Sequence, residues 1–241
     1  MDTPEFDKIR PVEGASRGPS LRRLIYQDLR EKLRRGDITT DTRLVDVEIA
    51  KAAGVSRMPV REALLQLTIE GHLVSTTRGF ALPDLSDADV ADIFEVRKLL
   101  EPRAAANATR DLDAAGLARL RCAVEQAREA VTTGSIADLV EANITFRETW
   151  IAALRNRRLA ATILRFADQA HVVRRDTLGE PEIRQIVLRG LIRLRDAFER
   201  RDAMAAHDEM LAFTLEAERS FFREDRAAGS IPPVSGDTNN D

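Results

Sequence analysis

The chain has 241 residues, of which 44% are hydrophobic and only 5% aromatic, and its formal net charge is −3. This length suits one large or two modest globular domains, and the abundance of Ala, Leu and Arg favours helix over sheet. The single cysteine, Cys122, excludes an intramolecular disulfide and fits a reducing compartment. No apolar run approaches the roughly 18 residues that a membrane span needs, and the N-terminus lacks the apolar core of a signal peptide. We therefore expect a cytoplasmic protein that does not enter a membrane.

The distribution of charge is more informative than the total. Residues 21–82 carry 11 Lys and Arg against 8 Asp and Glu, whereas residues 83–241 carry 23 against 28. DNA phosphates would attract the first region and repel the second. This asymmetry favours a nucleic-acid contact in the N-terminal third of the chain.

The first elements are short and helical. Residues 1–19 contain Gly and Pro without any periodicity, which predicts a flexible arm. Ser20 is suited to cap a helix over residues 21–35. A second helix is predicted over residues 44–53, and it stops at Gly54.

A third helix is predicted from Ser56 to about residue 70. The Ser56 hydroxyl is expected to accept a backbone N–H, and Pro59 in the first turn costs no hydrogen bond. Arg57 and Arg61 are four residues apart and share the outward face. The inward face is predicted to carry Val60, Ala63, Leu64 and Leu67. A hairpin over residues 73–75 and 80–82, turning near Gly79, completes a winged helix-turn-helix over residues 20–83.

The remainder of the chain shows only helical periodicity, so the fold class is mostly α. Six helices joined by short loops predict an antiparallel bundle that can enclose a ligand between its helices. We assign residues 84–224 to this all-helical domain, for which the family resemblance described below implies effector binding and dimerisation, and residues 225–241 to a disordered tail. The predicted bundle helices cover residues 86–110, 113–133, 135–154, 156–176, 180–200 and 202–222.

Two stretches resemble known families. Gly54-Val55-Ser56-Arg57, Pro59 to Leu64, Glu70-Gly71 and Arg78-Gly79 together resemble the GntR family of bacterial repressors. The helical part, with Glu95 to Glu101 in its first helix, is similar to the FCD effector domain of the FadR subfamily. The resemblance implies a homodimeric transcription factor that binds a palindromic double-stranded operator. It also implies that a small metabolite, often a carboxylate, changes the affinity for DNA.

The resemblance also implies the residues that contact DNA, namely Ser56, Arg57, Pro59, Arg61, Arg78 and Gly79. Arginine suits guanine because its fork meets O6 and N7 together, and the wing tip would enter the minor groove. Val47 stands where some relatives carry an arginine, so the base contact that this arginine makes in them is not expected here. The alternative for Arg57 and Arg61 is a solvated surface pair, that for Ser56 is a helix cap alone, and that for Arg78 is an exposed turn residue. A solvated helix face is also expected for Arg22, Arg23, Lys32, Arg34 and Arg35.

The metal site of many FCD domains is not matched in this sequence. That site takes an Asp, a His four residues later and two more His, whereas the matching positions here are Asn143, Arg147, Leu191 and Phe213. Only two histidines, His171 and His207, follow residue 83, so a three-histidine site cannot form. We therefore predict no metal and no other cofactor.

Arg147 is predicted to supply the positive charge in place of a metal. A guanidinium holds a carboxylate through two charge-assisted hydrogen bonds, and Arg97 is the second candidate. The predicted effector-binding set is Arg97, Asn143, Arg147, Leu191 and Phe213, and its apolar members favour an organic acid or acyl compound. The alternative is that Arg147 pairs with an acid such as Glu101 or Glu182 and merely fills the space.

These patterns favour a ligand-responsive DNA-binding regulator that acts as a repressor. One alternative is an architectural or protein-interaction DNA-binding protein with a vestigial pocket. Another is an enzyme built on a helical bundle, but the sequence shows no nucleophile beside a base and no glycine-rich phosphate loop.

Overall fold

The computed structural model describes residues 20–166 and 178–228, with side chains as far as Arg223. The predicted mostly α fold class is confirmed, and the two strands of the wing form one antiparallel hairpin. The elements are α1 (Leu21–Arg35), α2 (Asp46–Ala53), α3 (Arg57–Ile69), β1 (Val74–Thr76), β2 (Gly79–Ala81), α4 (Asp87–Asp111), α5 (Ala114–Thr133), α6 (Ile136–Ala153), α7 (residues 157–166), α8 (Pro181–Glu199) and α9 (Ala203–Ala228).

Some predictions fall outside the described residues. These are the arm over residues 1–19, the end of the helix predicted to reach residue 176 together with His171, and residues 229–241 of the tail. Within the described residues, no helix is long and apolar enough to cross a bilayer.

Side-chain caps explain why six of the described helices begin where they do. A side chain accepts the backbone N–H of the residue three positions later, over 2.6 to 3.4 Å, at Ser20, Ser86, Asp113, Ser135, Asn156 and Asp202. Ser86 and Asp89 form a reciprocal capping box at the start of α4. Each cap satisfies a donor that the helix itself leaves without a partner.

Two predicted boundaries were wrong. The second helix begins at Asp46 rather than residue 44, because Leu44 is extended and exchanges two 2.8 Å backbone hydrogen bonds with Phe80 in the wing. The last helix continues to Ala228 rather than residue 222, and so takes up the first residues of the predicted tail. No glycine or proline interrupts the sequence between Phe222 and Gly229, so nothing in it stops the helix earlier.

The chain has two hydrophobic cores, one in the winged half, which comprises α1 to β2, and one in the bundle, which comprises α4 to α9. In the winged half, α1, α2, α3 and the wing bury one cluster that includes the predicted inward residues of α3. In the bundle, α4 packs along α9, while α5 packs against α6 and α8. The aromatic rings of Phe146 and Trp150 each lie 6.4 Å from Phe198 at the centre of this second core.

The close approach of α8 and α9 depends on Gly190. A Cβ atom at this position would lie 2.7 Å from Cε2 of the Phe213 ring, well inside van der Waals contact. We predict that Gly190→Ala lowers the free energy of unfolding by about 1 to 3 kcal/mol through overpacking. Urea melts of the single variants and of Gly190→Ala/Phe213→Leu measure this effect. The smaller leucine should recover part of the loss, and strictly additive losses would contradict the contact.

Candidate nucleic-acid interface and effector site

The carboxylate of Asp46 holds both predicted reading arginines. Arg57 donates from Nε to Oδ2 of Asp46 over 2.8 Å, and Arg61 donates from Nη1 to the same oxygen over 3.4 Å. The Asp46 side chain is only 8% exposed, whereas those of Arg57 and Arg61 are 56% and 52% exposed. The two arginines therefore share one buried acid while more than half of each side chain stays exposed, and their contact with DNA stays a prediction.

The environment of Asp46 favours its charged form. Burial by itself would raise the pKa of Asp46, but the hydrogen bond and charge of Arg57, the backbone N–H of Val47 and the charge of Arg61 outweigh it. The pKa of Asp46 therefore lies below the usual range of an aspartate. The position of Asp46 in the first turn of α2 adds a favourable interaction with the helix dipole.

Ser56 occupies the N-cap position of α3, but its side chain makes no capping hydrogen bond, so the predicted cap interaction was wrong. The reason is Pro59. The other side-chain caps of this protein bind the N–H three residues later, and here that residue is a proline without an N–H. The Ser56 hydroxyl is left exposed at the start of α3.

The wing tip presents Arg78 to solvent. The hydroxyl of Thr76 accepts the N–H of Arg78 over 3.2 Å and donates to the carbonyl of Gly79 over 3.0 Å, which closes the turn. Gly79 has φ of +118°, and a Cβ there would lie 2.5 Å from the carbonyl oxygen of Leu44. Glycine is therefore required for the wing to pack against the residue that precedes α2.

The bundle buries a cluster of three charged side chains. Arg97 and Glu101 lie one turn apart on α4 and are 2% and 1% exposed, and Arg147 of α6 is 6% exposed. Arg97 donates to the two Glu101 oxygens over 2.8 and 3.4 Å, and Arg147 also donates to Glu101. Of the two alternatives for Arg147, pairing with an acid is the one observed, and that acid is Glu101.

Arg97 retains binding capacity in this cluster. Its Nη1 is buried and has no hydrogen-bond partner among the residues that the structure describes. The guanidinium carbon also lies 5.0 Å from the ring centroid of Phe94. Two guanidinium groups and one carboxylate give the three side chains a formal charge of +1.

The other predicted effector residues lie in two different environments. Leu191 and Phe213 belong to the hydrophobic core of the bundle. Asn143 is 5% exposed and lines a cavity of about 1080 Å³ between the winged half and the N-terminal part of α6. Of the five predicted effector residues, Asn143 is the one that contributes to the wall of this cavity.

The described residues contain no group of three or more His, Cys, Asp and Glu side chains that could hold a metal. His171 lies outside these residues, so the absence of a metal stays a prediction.

The contact between the two halves was not anticipated from the sequence. Arg34 was expected on a solvated helix face, but it is 9% exposed and donates from Nη1 to Glu148 of α6 over 2.7 Å. Nη1 of Arg34 also donates a hydrogen bond to Glu31 within α1 over 3.5 Å. The expectation failed because the sequence gives no indication that α6 covers this end of α1.

Comparison with known proteins agrees with this architecture. The profile of the bacterial regulatory proteins of the gntR family matches residues 21–80, and the profile of the FCD domain matches residues 92–215. The HTH-type transcriptional regulator YdhC of Bacillus subtilis is 26% identical over 189 residues, which cover 78% of this chain and 84% of YdhC. The regulator McbR of Escherichia coli is 30% identical over 138 residues, 57% of this chain and 62% of McbR. The solved structure of E. coli McbR superimposes with a TM-score of 0.73 at 24% identity, over 86% of this chain and all of McbR.

A winged helix that presents paired arginines, joined to a helical bundle with a buried charged cluster, defines a transcriptional regulator with an effector-binding domain. The chain belongs to the GntR family and carries an FCD domain. The matched proteins are transcriptional regulators, which removes the enzyme alternative.

The position of the reading arginines should depend on the charge of Asp46. We predict that Asp46→Asn lowers the free energy of unfolding by about 1 kcal/mol at pH 7, a low value because both arginines are half exposed. Since folding lowers the pKa of Asp46, its stabilisation is complete above the ordinary carboxylate pKa. It is lost as the pH falls through the lower pKa of the folded state.

Urea melts of the wild type and Asp46→Asn between pH 7 and pH 3 measure this difference. The matched control is Asp84→Asn, at an exposed residue between β2 and α4. The stability difference should narrow in acid. A difference that stayed constant over the whole range would contradict a role for the Asp46 charge.

Proposed function

We propose that this protein is a homodimeric repressor that reads a palindromic operator and responds to an organic anion bound in its helical bundle. The observation that carries the proposal is the pair of half-exposed arginines on α3 that share the carboxylate of Asp46. Such an anchor fixes the direction of two long side chains before DNA is bound, which lowers the entropic cost of recognition.

The anchored arginines keep donors for DNA. Arg57 uses its Nε on Asp46, so its two terminal nitrogens remain available for O6 and N7 of a guanine. The exposed hydroxyl of Ser56 suits a phosphate oxygen beside the first turn of α3. Arg78 at the wing tip suits the adjacent minor groove, where a narrow groove attracts arginine. Two such reading helices in a dimer match half-sites about one DNA turn apart.

The proposed effector site is the cluster of Arg97, Glu101 and Arg147. A carboxylate could accept a hydrogen bond from the available Nη1 of Arg97 and compete with Glu101 for Arg147. The hydrophobic core of the same bundle, to which Leu191 and Phe213 belong, suits a ligand with an apolar part such as an aliphatic, aromatic or acyl-bearing acid. The same pairing of Arg147 with Glu101 also favours the second candidate, a DNA-binding protein whose pocket is vestigial.

Helix α6 supplies a physical route between the two sites. Arg147 on this helix contacts the buried cluster, and the next residue, Glu148, binds Arg34 of the winged half. A ligand that changes the position of Arg147 would therefore act on a helix that also contacts the winged half. Linkage requires that such a ligand and the operator change each other's affinity by the same factor.

For the DNA site, we predict that Arg61→Ala weakens operator binding by about 1 to 3 kcal/mol and relaxes the preference at one base pair of each half-site. Fluorescence anisotropy with operator duplexes varied at each position measures both effects. Arg121→Ala, at an exposed residue of the bundle, is the matched control and should bind like the wild type. A uniform loss across all sequences would assign Arg61 to phosphate rather than to a base.

For the effector site, we predict that millimolar aliphatic or aromatic monocarboxylates raise the melting temperature of the wild type. Arg97→Lys, which keeps the charge but removes the fork, should weaken the best of these acids at least about tenfold in calorimetric titration. Arg121→Lys, in the exposed pair with Glu199, should leave it unchanged. If no acid binds, the vestigial pocket is the correct alternative, and operator binding should persist.

A further inference from the structure

Most of the exposed large hydrophobic side chains lie in the part of the chain that carries the two arginines. Eight large hydrophobic side chains are exposed among the residues that the structure describes, and six of them lie in the winged half. Single exposed apolar residues need no explanation, but apolar side chains beside charged ones on an exposed helix face suit a partner with apolar features. Two of the six are linked to the arginines: Met58 follows Arg57 in the chain, and Val47 follows Asp46, which binds both arginines.

Val47 is tied to the same carboxylate as the arginines. Its backbone N–H binds Asp46, while its side chain is 51% exposed. Met58 is 64% exposed, follows Arg57 on α3 and precedes Arg61 by three residues. Residues three or four apart share one face of a helix, so Met58 lies on the face that carries the arginines.

We infer that Val47 and Met58 contact the C5-methyl groups of thymines beside the base pairs that Arg57 and Arg61 contact. This inference rests on the proposed operator binding. In the major groove, the thymine methyl is the feature that an apolar side chain recognises, whereas no hydrogen-bonding group of DNA matches a valine. The apolar residues are continuous with a surface whose arginines complement the charge of DNA, so thymine is the occupant that fits both properties.

Val47 and Met58 should differ in the strength of their preference for thymine. Valine is branched at Cβ and is stiff about χ1, so its methyl groups stay in place and penalise any base that lacks a methyl. Methionine has three rotatable bonds and adapts to small changes of its surroundings. We therefore expect Val47 to impose the stronger thymine preference and Met58 the weaker.

The test replaces thymine by deoxyuridine, which removes only the C5-methyl group. An operator is first selected from a random duplex library with the full-length wild-type chain, and each dT of a half-site is then replaced singly by dU. Burial of one methyl group corresponds to about a fourfold change in affinity. We expect at least one such loss of about fourfold for the wild type and a smaller one of about twofold.

The variants assign each loss to a side chain. At the position where dU costs the wild type about fourfold, Val47→Ala should bind the dT and dU operators equally. At the position of the twofold loss, Met58→Ala should do the same. Both side chains are exposed, so both variants should fold. Ile69→Ala is the matched control because Ile69 is 78% exposed at the far end of the same α3, and it should keep the full dU response.

Three results would overturn the inference. One is a wild type that binds every dU operator as tightly as the dT operator. Another is a dU response that survives in both alanine variants, and the third is a change of oligomeric state in those variants with the dU response intact. If the selection enriches no sequence, the proposed function fails as well, so that failure is distinct from the other three.

Discussion

The proposed DNA-reading surface depends on one buried carboxylate at the start of α2. Asp46 accepts from Arg57 and Arg61 with a single oxygen and binds the backbone of Val47 as well. An arginine on an exposed helix has many rotamers, and binding DNA would have to restrict all of them. By restricting them beforehand, Asp46 turns two flexible cations into a directed pair. It can do so because burial, which alone would disfavour its charge, is outweighed by those same cations.

Helix α6 has a comparable position in the whole molecule, because it takes part in both the bundle and the contact between halves. Arg147 reaches inward to Glu101, and Glu148 reaches outward to Arg34. Adjacent residues on a helix point in different directions, so a rotation of α6 about its axis would move both side chains together. Arg34 is almost fully buried, and Glu148 lies closer to it than Glu31 does, so separation of Arg34 from Glu148 would weaken the pairing of a buried charge and disfavour intermediate orientations of the winged half.

The sequence predicted the parts of this protein that are set by local rules. Most helix limits, the caps at Ser86 and Ser135 and the glycine of the wing follow from neighbours within about four residues, whereas the start of α2 depends on the pairing of Leu44 with Phe80. The contacts made by Asp46 and Arg34 could not be predicted in this way. Asp46 lies 11 and 15 residues before its arginines and Arg34 lies 114 residues before Glu148, so only the tertiary fold brings them together. The predicted cap at Ser56 failed for a local reason, because Pro59, three residues later, has no N–H that the Ser56 hydroxyl could accept.

The same chemical arrangement occurs in the winged half and in the bundle, and its surroundings decide what it can bind. In each case one acid joins two arginines, namely Asp46 on the winged half and Glu101 in the bundle. At the surface, the arginines keep terminal nitrogens in water, so the available partner is a large anion that approaches from outside. In the bundle, the remaining donor of Arg97 is enclosed, and a dry environment makes an unmet hydrogen bond costly. A small anion that accepts a hydrogen bond from this donor would gain more binding free energy than it would from a donor at the surface. That free energy would be available to shift α6, a helix that also contacts the winged half.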